Sequence, residues 1–170
     1  MTTRAGRFAM KGQRQMSRHG YSDHDDGDYP HGLWAGVMAS ATRGKRGQKF
    51  FRELLDALDA MPVKELHAHV FDDPNDGKVC ALGALARVKG VDTTKFDPDD
   101  DYAASVLARK FDVADCLTRE AIYANDEGFH AKYIRLDHYR DHGVGFAFLV
   151  ERPDERWQRM RDWVVARIKS

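Results

Sequence analysis

The stretch from Phe50 to Met61 constrains this chain more than any other. Phe50, Phe51, Leu54, Leu55, Leu58 and Met61 recur at helical spacing, while Arg52, Glu53, Asp56 and Asp59 fill much of the other side. With about 3.6 residues per turn, the first set lines one stripe and the second faces water. The pattern therefore predicts an amphipathic helix with a buried face, and Pro62 marks its end because the residue before proline avoids helical geometry. One such helix cannot hide its own stripe, so other elements must cover it.

The rest of the chain offers mostly helices for that purpose. One opens near Leu33 and runs to about Thr42, where Gly44 breaks it. Cys80 to Val88 reads as a compact helix whose small residues suit close packing, with Lys89 and Gly90 as its stop. Asp97 to Asp101 opens another, its acidic residues suited to the positive end of a helix dipole; it carries Tyr102, Val106, Leu107 and Phe111. A further helix holds Val113, Cys116, Leu117, Ile122 and Tyr123 and ends near Asn125 to Gly128. The last starts at Pro153 with Asp154 and Glu155 in its first turn, and carries Trp157, Met160, Trp163, Val164 and Ile168 as its apolar stripe. Trp157 and Trp163 are expected to border the core rather than to form a base-stacking platform. Arg167 and Lys169 lie near that helix's C-terminus, where positive charge is favourable.

Two regions resist this reading. Residues 63–71 partly alternate apolar and polar, and the turn-forming run Asp72 to Gly77 separates them from Lys78-Val79-Cys80, so residues 63–80 suggest a small β-hairpin. Residues 129–150 mix His, Tyr, Arg and Asp before the apolar run Val144 to Val150, which points to an irregular or strand-containing insertion. The expected fold is mainly α: a compact bundle of about six helices over residues 32–170. Residues 1–31 stand apart. They are basic and polar at first, then acidic at positions 22–28, with no regular period, and read as a flexible polar arm.

Length and charge narrow the function classes. A chain of 170 residues suits one domain, and 42% apolar residues suffice for a core. Lys plus Arg equals Asp plus Glu at 27 each, whereas dedicated non-specific nucleic-acid binders carry a clear basic excess, so nucleic acid is not the favoured partner. No apolar run approaches the roughly 18 residues of a membrane span. With no secretory leader and no CxxC pair for Cys80 and Cys116, the expectation is the cytoplasm, free thiols and no zinc. No cofactor is implied.

Three segments carry groups capable of chemistry. Arg43-Gly44-Lys45-Arg46-Gly47-Gln48 places three cations around two glycines just before a helix, where backbone amides and cationic side chains can hold a phosphate or carboxylate. It lacks P-loop spacing, and its plain alternative is a solvated turn. Cys80 sits at a helix start, where a thiol pKa can fall; a catalytic use would need His67 or His69 as base and Asn125 or Asp126 as orienting group. Its plain alternative is a small residue buried in a helix contact. His138 and His142, like Asp137 and Asp141, are four apart and would share a helix face, but Gly143 and Gly145 follow at once and no HExxH pattern is present. Asp126 and Glu127, adjacent in sequence, diverge too far for paired acid–base work.

Taken together, Met16 to Asp23, the Arg43 to Gln48 turn with Phe51 to Leu55 and Ala57 to Pro62, Val79 to Ala84, Asn125 to Glu127, and Arg156 to Arg161 resemble a family of uncharacterised proteins encoded by phages and prophages. The resemblance spans most of the chain from Met16, with residues 1–15 and about 129–150 departing from it. It implies a mobile-element origin and expression inside a bacterial cell, and transfers no catalytic residue. The expected function is an accessory protein that binds a host protein or a phosphate-bearing ligand without catalysis, inhibition of a host defence system being one form. The expected contacts are Arg43, Lys45, Arg46 and Gln48, with His19 and Tyr21 from the arm. The alternatives are a small cysteine-dependent hydrolase or transferase using Cys80, Asn125 and Asp126, and a nucleic-acid-associated regulator.

Overall fold

In the computed structural model, which describes residues 31–97, 100–128, 133–136, 145–148 and 150–169, the chain is mainly helical. Six helices are present among those residues: α1 (His31–Arg43), α2 (Lys45–Ala60), α3 (Ala81–Lys89), α4 (Asp101–Lys110), α5 (Asp115–Asp126) and α6 (Pro153–Val165). Helix α2 holds the centre. It buries Phe50, Phe51, Leu54, Ala57 and Leu58, while Leu55 and Met61 are half-buried at the border of the stripe. Helix α3 covers this face with Leu82 and Leu85, and α6 with Met160 and Val164. Each fully buried large apolar side chain contributes about 1.5–3 kcal/mol of transfer free energy. The aromatic rings interlock as well: Phe51 meets Phe50 edge-on at 5.3 Å and Trp163 at 5.7 Å between ring centroids. Trp157 and Trp163 both pack against the core, as the stripe predicts.

The corner between α1 and α2 closes on one residue, Gly44, in an extended conformation. It depends on Gly47, where an added Cβ would lie 2.0 Å from the carbonyl oxygen of Ala41. Helix α3 makes a tighter approach still: a Cβ on Gly83 would lie 1.7 Å from the carbonyl oxygen of Phe71. The small residues of α3 thus serve contact with the connecting segment as well as with α2.

That segment, residues 61–80, folds only partly as a hairpin. A single antiparallel bridge joins Asp72 to Val79 around the intervening turn. Asp73 N donates to Lys78 O at 2.8 Å, Cys80 N to Phe71 O at 3.2 Å, and His67 N to Val79 O at 2.9 Å. The extended run fails at His69, whose φ of 55° leaves the β region, and Leu66 N turns away to Pro153 O at 2.9 Å. Leu66 and Phe71 are buried instead as core residues.

The helix expected from Asp97 begins at Asp101, because Asp100 caps it by accepting from Tyr102 N at 2.9 Å. Within 129–150, β1 (Tyr133–Leu136) and β2 (Gly145–Phe148) pair antiparallel, with Tyr133 opposite Phe148 and Leu136 opposite Gly145. Asp137, His138, Asp141 and His142 lie outside the described residues, as does the arm before His31. Pro153 opens α6 behind a capping box in which Glu155 accepts from Arg152 N at 3.1 Å. Ile168, expected on the α6 stripe, packs against the core just beyond the helix end at Val165. No helix among the described residues is long and apolar enough to cross a membrane.

Candidate functional site

The fold brings Cys80, Asn125 and Asp126 together. Cys80 is the N-cap of α3, and its Sγ accepts from Gly83 N at 3.4 Å. Asn125 lies in the last turn of α5 and is almost wholly buried. Its Oδ1 accepts from Ala81 N at 3.2 Å, while its Nδ2 donates to His67 O at 2.9 Å and to Asp126 Oδ1 at 2.8 Å. Asp126 Oδ1 also accepts from His69 N at 3.2 Å, and its Oδ2 lies 3.9 Å from His69 Nδ1. One amide and one carboxylate therefore join the start of α3, the end of α5 and the turn around His67 to His69.

The electrostatics of this junction work against a nucleophile. Burial, followed by the negative charge of Asp126, pushes the Cys80 thiol up to about 12, and the helix amides offset only part of that. The group stays protonated at neutral pH and serves as a weak acceptor at a helix end. Burial also raises the Cys116 thiol. Burial holds the His67 imidazole below its usual range, with Lys78 acting the same way.

The second expected site, the Arg43 to Gln48 turn, divides into outward and inward parts. Arg43, Lys45 and Arg46 are exposed. Arg46 Nη1 lies 3.2 Å from Asp112 Oδ1, both side chains largely in solvent. Gln48, expected among the contacts, turns inward: its Nε2 donates to Thr42 O and Arg167 O, both at 2.8 Å, and its Oε1 accepts from Lys169 N at 2.8 Å. Local sequence carries no hint of this, since two of the three partners, Arg167 and Lys169, lie over a hundred residues away. Gln48 fastens the C-terminal segment to the corner, and Lys169 Nζ then donates to Arg43 O at 3.1 Å. Four cations consequently surround the start of α2, which no side chain caps. His19 and Tyr21 lie outside the described residues.

A buried ion cluster, unmarked by any sequence motif, lies at the start of α6. Glu151 has a side chain only 3% exposed, with Arg159 Nε at 2.5 Å and Arg156 Nε at 2.9 Å from its carboxylate oxygens. Arg159 also donates to the carbonyls of Ala124 and Asn125 at the end of α5. Arg159 thus holds α6 to α5, Arg156 donates from Nη1 to Leu66 O at 3.4 Å in the segment before α3, and Arg161 pairs with Asp59 of α2 at 2.7 Å. The three-residue spacing of Arg156 and Arg159, on one helix face beside an acidic residue, was the available signal. No protein-family model, curated protein or solved structure matches the chain.

Proposed function

We propose that this protein binds a partner without catalysis, and that the corner between α1 and α2 is its contact surface for an anionic group. The observation that carries this reading is the gathering of Arg43, Lys45, Arg46 and Lys169 around the uncapped N-terminus of α2, with Asp112 as their one ion-pair partner among the described residues. A helix start of this kind presents free backbone amides and a positive partial charge. Flanking guanidinium and ammonium groups add charge-assisted hydrogen bonds to a phosphate or carboxylate. Gln48 holds the corner in place before any ligand arrives, which lowers the ordering cost of binding. The burial of Cys80 supports the same reading over a thiol enzyme.

In the bacterial setting that the sequence resemblance implies, the anionic group belongs to a host protein or to a phosphate-bearing ligand, and inhibition of a host defence system is one specific outcome. The test is affinity capture from bacterial lysate with the tagged chain and with the Arg43→Ala, Lys45→Ala, Arg46→Ala triple variant. Partners retained by the parent chain are expected to be lost from a variant whose helical circular dichroism and unfolding midpoint are unchanged. Equal capture by both would sink the assignment.

A further inference from the structure

A second surface lies on the other end of α2. The close of α2, the Pro62–Val63 turn, the segment from Glu65 to Val79 and the outer face of α3 enclose a cleft of about 530 Å³. Its apolar lining includes Met61, Val63, Val79, Ala84 and Val88. Val63 is 59% exposed and Val88 65%, so the apolar surface continues out of the cleft onto its lip. Apolar surface that stays in water beside a concave pocket marks an interaction site more often than scattered single side chains do.

Charge at the rim selects the occupant. Arg87 is neutralised by Asp72 through two hydrogen bonds of 2.8 and 2.6 Å, and Asp76 is paired with Lys78 at 2.7 Å. Glu65 also lines the cleft, and no described residue forms an ion pair or hydrogen bond with it. His67 on the same wall is half-buried. The cleft thus combines an apolar floor with one exposed carboxylate, Glu65, which has no ion-pair partner among the described residues and whose charge acts on the neighbouring His67.

We propose that this cleft docks a segment of a partner protein that presents an apolar side chain next to a lysine or arginine. The apolar side chain fills the space between Met61, Val79 and Ala84, and the cation meets Glu65. The surface is opposite in sign to the cationic corner, so a single partner using both would need acidic and basic parts.

The test uses the isotope-labelled full chain and two short probe peptides, one alternating leucine and lysine, the other leucine and glutamate. The lysine peptide is expected to move the amide resonances of Ala84, Val88 and Val63 at concentrations at least about threefold lower than the glutamate peptide, the worth of one exposed ion pair. Glu65→Gln should remove the preference, and Val88→Lys, a change at an exposed position, should weaken binding of the lysine peptide. Equal response to both peptides, an unaltered preference in Glu65→Gln, or a cleft that neither peptide perturbs would overturn the proposal. Shifts confined to Lys45, Arg46 and Gly47 with the glutamate peptide would support the cationic corner alone and count against the cleft, so the two assignments fail separately.

Discussion

Replacing Asn125 with alanine should remove a large part of this protein's stability. The side chain is 1% exposed and makes three hydrogen bonds, to Ala81 N, His67 O and the Asp126 carboxylate. Alanine leaves the buried Ala81 amide and the part-buried His67 carbonyl without those partners. Each buried group stranded this way costs about 1–3 kcal/mol. Asp126 keeps the His69 amide as a donor, so its loss is smaller. The sum is about 2–6 kcal/mol, a substantial share of the roughly 5–15 kcal/mol that holds a domain together. Urea denaturation followed by circular dichroism checks it: with a slope of about 2 kcal/mol per molar, the midpoint should fall by about 1–3 M with the slope unchanged. A drop worth less than about 1 kcal/mol would refute the reasoning, because it would mean that Asn125 does not hold α3, α5 and the His67 turn together.

Other outcomes follow from the same contacts. Cys80 should react with a maleimide only after denaturation, and rapid modification of the native protein would restore the case for a thiol enzyme. Gly83→Ala should destabilise by about 1–3 kcal/mol or more in the same urea assay, since the new methyl group meets the Phe71 backbone. Glu151→Gln should cost about 3–5 kcal/mol by leaving Arg156 and Arg159 without their counter-charge, and a neutral result would show that the cluster is dispensable. The depressed His67 pKa also sets a pH dependence: the unfolded chain takes up a proton near pH 6.5 that the folded state resists, so acidification below that point should lower stability, and His67→Gln should flatten the response.

How much of this was written in the sequence varies with the range of the interactions. The α2 stripe, Gly44 as a break, Gly90 as the C-cap of α3 and Pro153 as the start of α6 are local signals, and the helices follow them. Residues 61–80 were less legible because their backbone groups reach far along the chain, Leu66 to Pro153 and His67 to the side chain of Asn125. The grouping of Cys80 with Asn125 and Asp126 was open to inference from residue type. Whether the thiol was reactive or a buried cap was not, since that depends on desolvation. Gln48 shows the limit most clearly: its neighbours in sequence are cations in water, yet its amide points inward to residues 167 and 169. The cleft beside Glu65 was invisible for a different reason: its walls, from residues 57–67, 76–79 and 84–88, meet only through the irregular folding of the segment between α2 and α3.

The proposed function requires that the corner at the start of α2 take an anion. Titration of the isotope-labelled chain with inorganic phosphate measures this directly. The prediction is saturable movement of the amide resonances of Lys45, Arg46 and Gly47, absent from the Arg43→Ala, Lys45→Ala, Arg46→Ala variant. No movement there, or shifts of equal size at every surface cation, would contradict it.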